Sequence, residues 1–301
     1  MAQAAPQQGQ AVCLDERHDG WDGGMIGSWL AGRKSPKAKP RASVPPDTLV
    51  WTIGDIHGRL DLLRPLLGGV LEDFRLSAAT RKLLIFLGDY VDRGPDSKGV
   101  IDLLCRLADS GEVEARFLRG NHEDRMAMFL EDPGIGPSWC DYGGREALRS
   151  YGVTAPIDRD DAAAWAAASA SLNAALSDQQ RTFLRNLEAS ISVGDYFFAH
   201  AGARPGVALE QQSAYDMMWI RQSFLADSRA FDKIVVHGHT PADDIQADHR
   251  RIGLDTGAYA TGVLSAVRLE GAERAALQTA MTGSGIELWR SEIETAKAAK
   301  R

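Results

Sequence analysis

The sequence contains little cysteine, and its first residues do not have the composition of a secretory signal. Only three of its 301 residues are cysteines (Cys13, Cys105 and Cys140), and their spacing matches neither a metal-binding motif nor a disulfide framework. The first residues, MAQAAPQQGQ, lack the basic start and the apolar core of a secretory signal. Because an odd number of free thiols suits a reducing compartment, we expect a cytoplasmic protein.

Long hydrophobic runs and an excess of positive charge are also missing. The apolar stretches have the length of strands, and none approaches the roughly 20 residues of a membrane-spanning helix. The formal net charge of −7 disfavours a nucleic-acid-binding surface spread over the whole protein. The hydrophobic content of 44% is sufficient for one large domain or two small ones. We therefore expect a globular protein with no membrane span and no nucleic-acid partner.

Composition divides the chain into three parts. Residues 1–47 are rich in Gln, Gly, Pro and Lys, which predicts a disordered tail. Within it, RKSPKAKPR (33–41) is interpreted as a solvated linker, with contact to an acidic partner or a lipid surface as the alternative. WDGGMIGSWLAG (21–32) is compatible with docking on the domain or on a partner. We expect one domain over residues 48–271 and a C-terminal extension over 272–301, with its last residues, IELWRSEIETAKAAKR, helical or frayed.

Strand-like runs alternate with helical patterns inside the predicted domain. SKGVIDLLCRLADSG (97–111) is typical of a helix that Gly111 ends, and the Ala-rich segment 124–190 predicts a helical cap beside the site. The alternation predicts an α/β domain with an at least partly parallel sheet. The predicted strands are LVWTI (49–53), LLIFL (83–87), ARFL (115–118), YFFA (196–199) and IVV (234–236).

Asp, His or Asn residues follow each of these five predicted strands. Taken singly, each residue has an ordinary explanation as a turn carboxylate, a helix cap or a buried histidine. Because the carboxyl ends of strands form the ligand crevice of an open α/β sheet, all five together predict a metal site. The motifs are GDIHG (54–58), GDYVDRG (88–94), RGNHED (119–124), HAGARP (200–205) and HGHTP (237–241).

The donor types in these motifs indicate the kind of metal and substrate. Carboxylate, imidazole and amide oxygen without cysteine suit Mn, Fe or Zn. Two ions about 3.5–4 Å apart that share a carboxylate would use all of the donors. We expect Asp89 to be this bridge and Asp92 to lie nearby with another task. Guanidinium groups pair bidentately with phosphate oxygens, so three arginines near the motifs indicate a phosphate substrate: Arg93, Arg119 and Arg221.

Together, GDIHG, GDYVDRG, RGNHE, HAG and HGHTP resemble the motifs of the phosphoprotein phosphatase family of dinuclear metallophosphoesterases, over roughly residues 48–270. The resemblance implies a β-sandwich flanked by helices, with the helical cap as an insertion. It also implies two divalent metal ions, with Mn as our first choice and Fe or Zn as alternatives. The implied ligands are Asp55 and His57 for the first ion, Asp89 as the bridge, and Asn121, His200 and His239 for the second.

The resemblance further assigns residues to catalysis and to phosphate binding. His239 is preferred to His237 because the last ligand of the family directly follows a small residue, here Gly238. The other implied roles are an acid dyad of His122 with Asp92, and a phosphate clamp of Arg93 and Arg221 with Arg119 in support.

Two departures from the eukaryotic enzymes point to the bacterial-type serine/threonine protein phosphatase branch. Arg59 stands where those enzymes usually have Gln, and DTGAYATG (255–262) replaces their SAPNY segment. The resemblance implies that a metal-bridging hydroxide attacks the phosphorus of a phosphorylated protein or small phosphoester in line. A symmetrical dinucleoside tetraphosphate hydrolase is the first alternative, because it shares the early motifs. An inactive module that binds phosphorylated partners is the second.

Aromatic residues near the site bear on the choice between these substrates. A dinucleotide hydrolase must hold two bases, which calls for aromatic or Arg surfaces near the metals. Too few aromatic residues are expected at the opening for two base pockets, so the sequence favours phosphoserine and phosphothreonine, with phosphotyrosine as a further candidate. The expected residues are Trp139, Tyr142, Trp219 and Tyr259.

Overall fold

The computed structural model describes residues 41–293, which form two β-sheets and a set of mostly short helices. The strands are β1 (Thr48–Ile53), β2 (Arg81–Phe86), β3 (Glu114–Phe117), β4 (Ser190–Val193), β5 (Tyr196–Ala199), β6 (Ile234–His237), β7 (Gln246–Ala247), β8 (Arg251–Gly253), β9 (Val263–Glu270), β10 (Glu273–Thr282) and β11 (Gly285–Glu292). The helices are α1 (Leu60–Leu76), α2 (Ser97–Ser110), α3 (Asn121–Glu131), α4 (Gly136–Cys140), α5 (Gly144–Ser150), α6 (Ala162–Ala175), α7 (Asp178–Arg185), α8 (Ala214–Trp219), α9 (Gln222–Leu225) and α10 (Ala258–Thr261). Within this part of the chain, no helix has both the length and the apolar character needed to cross a membrane.

The two sheets pack face to face. The first sheet has the strand order β11–β10–β9–β1–β2–β3 and the second has the order β4–β5–β6–β8–β7. β1, β2 and β3 run parallel, whereas β9, β10 and β11 pair antiparallel. Val50 and Ile85 of the first sheet share one buried cluster with Phe198 and Val236 of the second. This shared core makes the architecture a β-sandwich, as the resemblance implied.

Helices cover the outer faces of the sandwich. Because successive side chains of a strand point to opposite faces, β1 also buries Leu49 and Trp51 against α1 and α2. On the second sheet, Phe197 and Val235 pack with Phe224 of α9. The predicted α/β class, a β-sandwich flanked by helices, is therefore confirmed. The motifs directly follow the strands and therefore lie at one edge of the sandwich.

A run of helices, α3 to α7, occupies most of the segment that was predicted as a cap. Phe129 of α3 packs on Trp165 of α6, with the ring centroids 6.3 Å apart. The preceding helix, α2, ends at Gly111, which has the left-handed conformation expected of a helix C-cap (φ 65°). Helix α3 begins at Asn121, directly within the RGNHED motif and three residues before the predicted start of the cap.

The C-terminal residues differ from the sequence interpretation. Residues 286–292, interpreted as helical or frayed, belong to strand β11, which pairs antiparallel with β10 from Thr282↔Gly285 to Ala275↔Glu292. The two residues between these strands, Gly283 and Ser284, form a short connection, and Gly285 after them has a positive φ of 126°. The pairing of a whole strand outweighs the helical tendency of the sequence. Residues 294–301 lie outside the described range.

The end of the predicted tail also differs from expectation. Residues 41–47 lie against the domain, where the Val44 side chain is buried and its N–H donates to the carbonyl of Gly271 at 3.0 Å. The N–H of Ser43 donates to the Asp195 carboxylate at 3.0 Å. An apolar residue and specific hydrogen bonds give this segment a fixed place that bulk composition does not reveal. The rest of the tail, including most of RKSPKAKPR and all of WDGGMIGSWLAG, lies outside the described residues.

Candidate metal centre and active site

The motifs that follow the predicted strands meet at one edge of the sandwich. Several of their residues have a left-handed backbone, which non-glycine residues seldom adopt and which is concentrated at functional sites. The local chain folds this way because the strand must turn sharply to aim a polar side chain inward. The residues are His57 (φ 46°), Asp89 (φ 52°), Asp92 (φ 73°), Arg93 (φ 66°) and His239 (φ 66°).

The first cluster of possible metal ligands contains His57, Asp89 and His122, which are buried and bring their ligand atoms within 4.8 Å of one another. Nε2 of His57 lies 3.5 Å from Oδ2 of Asp89. Nδ1–H of His57 donates to the carbonyl of Val91 at 2.9 Å, so the lone pair of Nε2 faces the cluster. Burial lowers the pKa of His57 to about 3 although Asp89 opposes this, so the imidazole is neutral and suited to bind a cation.

The second cluster contains Asp89, His200 and His239, with the same spread of ligand atoms. Nε2 of His200 lies 3.4 Å from Oδ2 of Asp89, and its Nδ1–H donates to the carbonyl of Leu87 at 2.9 Å. The Asn121 side-chain oxygen lies 3.0 Å from His200 Nε2 and 2.7 Å from His239 Nδ1. Asp89 belongs to both clusters, which is the position predicted for a bridging carboxylate.

Asp55 adds a further carboxylate beside these clusters. Its Oδ2 accepts a hydrogen bond from the backbone N–H of His239 at 2.8 Å. Its Oδ1 is buried and has no hydrogen-bond partner among the described residues. A buried carboxylate oxygen without a partner is costly unless a cation neutralises it, so this oxygen fits the metal that the motifs predict.

Negative charge is concentrated at the centre. Burial, together with the like charges of Asp255 and Asp89, raises the pKa of Asp55 well above its usual value. Burial also acts to raise the pKa of Asp89, but His200 and His122 hold it well below the usual range. Three buried carboxylates so close together favour bound positive charge. The donors present are therefore compatible with the pair of divalent ions.

His122 and Asp92 form a close pair beside the first cluster. Nδ1 of His122 lies 2.6 Å from Oδ2 of Asp92, and both side chains are buried. Burial alone would lower the pKa of His122, but the Asp89 and Asp92 carboxylates outweigh it and raise the pKa. The pair can therefore hold a proton on the imidazole, with its Nε2 directed toward the cluster.

Two of the three predicted phosphate-binding arginines lie at the centre. Nη1 and Nη2 of Arg93 lie 3.2 Å from His57 Nε2 and 3.2 Å from His122 Nε2, and its guanidinium stacks 4.5 Å from the Tyr259 ring. Nε of Arg221 donates to His239 Nε2 at 2.9 Å. Both guanidinium groups therefore lie beside the two clusters.

Arg119 is directed elsewhere. Its Nη2 donates to the carbonyl of Leu184 in α7 at 3.1 Å, and its Nη1 lies 4.0 Å from Asp124. The structure therefore does not bring Arg119 together with the other predicted phosphate ligands, because its side chain turns outward to the cap. Its place directly after a strand, in RGNHED, was not sufficient to indicate its direction.

Sequence reasoning missed the task of Glu123. Its carboxylate accepts hydrogen bonds from the backbone N–H groups of Asp89, Tyr90 and Val91 and from Gly120, at 2.7–3.2 Å. These bonds hold the turn that carries Asp89. The signal was present, since Glu123 directly follows Asn121 and His122 in RGNHED, but a buried acid with backbone partners cannot be told from a ligand by spacing.

A cavity of about 260 Å³ opens beside the clusters. Of the expected aromatic residues, Tyr142 and Tyr259 are exposed and Trp219 is half-buried, whereas Trp139 is buried. Arg125, which the sequence did not single out, holds its guanidinium 5.1 Å from the Trp219 ring. The cavity is lined by Arg93, Asn121, His122, Arg125, Trp139, Tyr142, Trp219 and Arg221.

Comparisons with known proteins identify relatives of this chain. The chain is 28% identical over 250 residues to the asymmetrical bis(5'-nucleosyl)-tetraphosphatase PrpE of Anoxybacillus flavithermus, a match that covers 76% of this chain and 94% of that protein. It is 36% identical over 96 residues to serine/threonine-protein phosphatase 2 of Escherichia coli, which covers 32% of this chain and 38% of the relative.

Among solved structures, a cold-active protein tyrosine phosphatase matches with a TM-score of 0.50 and 19% identity, over 84% of this chain and 82% of that chain. At this identity the match supports the fold alone. Residues 48–268 match the family model described as calcineurin-like phosphoesterase. The chain therefore belongs to the calcineurin-like metallophosphoesterases, a family of hydrolases.

Proposed function

We propose that this chain is a metal-dependent phosphomonoester hydrolase that acts chiefly as a serine/threonine protein phosphatase. The observation that carries the proposal is the close pair of His122 and Asp92 beside two clusters that share Asp89. A proton donor next to a cation-binding centre, with Arg93 and Arg221 facing it, matches the needs of phosphoester cleavage. Since all the predicted ligands are present and close together, an inactive phospho-binding module is disfavoured.

Two divalent ions would be held by the predicted ligands, with Mn as our first choice and Fe or Zn as alternatives. Asp55, His57 and the shared Asp89 would hold one ion, and Asp89, Asn121, His200 and His239 would hold the other, whereas His122 of the first cluster is kept as the proton donor. When bound, the ions supply positive charge that stabilises the phosphoryl oxygens and favours ionisation of the attacking water. Asp89 would serve both ions, because its Oδ2 faces His57 on one side and His200 on the other.

The chain's own residues would bind the substrate and move its proton. Arg93 and Arg221 would hold the phosphate oxygens, each through hydrogen bonds that a guanidinium donates to an oxyanion. His122 would donate its Nε2 proton to the departing alkoxide oxygen, which is a poor leaving group without protonation. Asp92 would keep the imidazole oriented and stabilise its positive charge through the bond to Nδ1.

Support for a protein substrate comes from the cavity and from one relative. The cavity of about 260 Å³ is lined by His122 and by both proposed phosphate-binding arginines, Arg93 and Arg221. The serine/threonine phosphatase of Escherichia coli is similar over 96 residues. A phosphoserine or phosphothreonine side chain that projects from a peptide backbone would reach His122 along this opening.

A dinucleoside tetraphosphate hydrolase is the second candidate, and two observations favour it. The tetraphosphatase of Anoxybacillus flavithermus is similar over 76% of this chain, a much longer match than that of the phosphatase. The half-buried Trp219, with Arg125 at 5.1 Å and Tyr215 stacked at 6.3 Å, offers a surface on which one base could lie. The name of the Anoxybacillus flavithermus relative specifies asymmetrical cleavage, so the second candidate predicts ATP and AMP as products.

The test is a comparison of kcat/KM at matched Mn for phosphoserine and phosphothreonine peptides, a phosphotyrosine peptide and diadenosine tetraphosphate. We expect the phosphoserine or phosphothreonine peptides to give the highest values. If diadenosine tetraphosphate is cleaved far more efficiently than every peptide, the protein-phosphatase proposal is wrong and the second candidate replaces it. Chromatography of the nucleotide products then separates asymmetrical cleavage from symmetrical cleavage into two ADP molecules. The His122→Asn variant serves as the control for contaminating phosphatases.

A further inference from the structure

Trp139 connects the helical cap to the carboxylate of Asp92. Its indole Nε1–H donates to Oδ2 of Asp92 at 2.8 Å, and the same oxygen lies 2.6 Å from Nδ1 of His122. Trp139 lies in α4, 47 residues beyond Asp92 in the chain, and is only 1% exposed. Trp139 lines the cavity, as the sequence led us to expect, but its ring is buried and its indole N–H is bonded to Asp92.

The Asp92 side chain has few other restraints. It is completely buried, and its Oδ1 has no hydrogen-bond partner among the described residues. The χ2 torsion of an aspartate has a broad energy profile, so a carboxylate with one bonded partner can rotate easily. The bonds to His122 and Trp139 therefore determine how the carboxylate is turned, and loss of the indole N–H would leave His122 as its one remaining side-chain partner in the described structure.

The position of the Trp139 ring is itself closely determined. The ring packs on Phe129 of α3 with centroids 4.9 Å apart. A Cβ atom at Gly144 would lie 2.4 Å from the indole, so the start of α5 approaches the ring closely only because residue 144 is glycine. A rigid donor held by two cap helices can fix a partner in a way that a flexible side chain cannot.

We propose that Trp139 is a positioning residue that fixes Asp92 and, through it, the imidazole of His122. The inference rests on the proposed role of His122 as the proton donor to the leaving group. It makes the helical cap a part of the proton-transfer machinery, because α4 supplies the second donor to the dyad. The role is distinct from substrate binding, since the effect on turnover should pass through His122 alone.

The test compares Trp139→Phe with Trp165→Phe. Trp165 is a matched control, because its indole also donates one hydrogen bond, to the carbonyl of Asp158 at 3.0 Å, and also packs on Phe129. Each variant is assayed with a phosphoserine peptide, which needs leaving-group protonation, and with p-nitrophenyl phosphate, which needs little. Metal content and the thermal midpoint are measured alongside, and Trp139→Phe is also introduced into His122→Asn.

For Trp139→Phe we expect kcat on the phosphoserine peptide to fall roughly 10–100-fold, the usual effect of losing a supporting partner. KM should stay within about twofold, the loss on p-nitrophenyl phosphate should be smaller, and Trp165→Phe should leave both rates unchanged. In the His122→Asn background, Trp139→Phe should cost nothing further, because residues that act through one another are not additive. An unchanged kcat, equal losses on both substrates, or a full additional loss in that background would overturn the inference.

A spectroscopic measurement covers the case in which Trp139→Phe folds poorly. In the zinc-loaded protein, the Trp139 indole N–H should be protected from solvent exchange, and Asp92→Ala should remove that protection while the Trp165 indole keeps its own. Equal protection in both proteins would contradict the bond. Failure of the proposed function would give a different result. The unmutated enzyme would then show no turnover of these substrates, or His122→Asn would lose the same factor on both substrates.

Discussion

The carboxylate of Asp55 occupies the space that a side chain at residue 238 would need. A Cβ atom built on Gly238 would lie 1.9 Å from Oδ1 of Asp55, a distance that no pair of non-bonded atoms tolerates. Because residue 238 is glycine, the backbone that carries His239, the last predicted ligand, can pass directly beside Asp55, the first predicted ligand. His239 and Asp55, which lie 184 positions apart in the chain, are also joined here by the hydrogen bond from the His239 N–H to the Asp55 carboxylate.

We predict that Gly238→Ala displaces Asp55 and weakens binding of the ion that Asp55 would hold. Activity should fall roughly 10–100-fold, because ligands must be held closely in place. Gly283→Ala is the matched control, since a Cβ there meets no atom within 4 Å. Elemental analysis of the purified variants, together with kcat, checks the prediction. A Gly238→Ala protein with full metal content and full activity would contradict it.

Asp89→Asn should damage both metal positions at once. Its Oδ2 lies 3.5 Å from His57 Nε2 and 3.4 Å from His200 Nε2, so removal of its charge affects ligands on both sides. Chelation of the unmutated protein should abolish activity, and added Mn should restore it. Metal analysis should find two ions per active chain and fewer than one in Asp89→Asn, whereas Asp55→Asn should retain one. A fully active protein with a single ion per chain would contradict the proposal of two ions.

His122→Asn should retain both ions yet lose about 10²–10⁴-fold in turnover of alkyl phosphates, the usual contribution of general acid catalysis. Asn keeps a polar side chain of similar size but cannot deliver the proton. The loss should shrink for aryl phosphates, whose leaving groups need little protonation. Steady-state rates on a phosphoserine peptide and on p-nitrophenyl phosphate provide the comparison. Losses of the same size on both would mean that His122 has only a structural role.

Glu123→Gln should destabilise the turn that carries Asp89. The Glu123 carboxylate accepts four backbone hydrogen bonds, and an amide nitrogen in place of one oxygen would face donors with another donor. We expect the free energy of unfolding to fall by about 2–3 kcal/mol. Glu131→Gln, at the exposed end of the same helix, is the control and should change it by less than about 0.5 kcal/mol. Urea unfolding of the metal-free protein measures the free energy of unfolding of both variants. Equal changes in the two variants would show that the hydrogen bonds of Glu123 do not stabilise the turn.

Trp219→Ala should separate the two substrate classes. If a base stacks on the Trp219 ring, kcat/KM for diadenosine tetraphosphate should drop about tenfold, within the range measured for base–aromatic stacking. The value for a phosphoserine peptide should change little, provided that metal content is unchanged beside His239, whose ring centroid lies 6.4 Å away. Equal losses on both substrates would show that Trp219 supports the site rather than a base.

The sequence by itself determined where the strands end and which polar residues of metal-binding type follow them. A buried strand and the polar turn after it are local features. Asp55, His57, Asp89 and Asn121 could therefore be identified as candidate metal ligands from their neighbours in the chain. The α/β class and the helical segment after RGNHED follow from periodicity, which is also local. The resemblance to a known family supplied the sandwich, which periodicity does not specify.

Only the tertiary structure decided which way several side chains point. Arg119 turns to Leu184 rather than to the clusters, and the indole N–H of Trp139 is bonded to Asp92. Strand β11 forms because β10 is beside it to accept its hydrogen bonds. The partners of Arg119 and Trp139 are remote in the chain, and the partner of β11 is a neighbouring strand. The orientation of each side chain or strand follows from packing and hydrogen bonding to that partner, so the local sequence pattern cannot predict it.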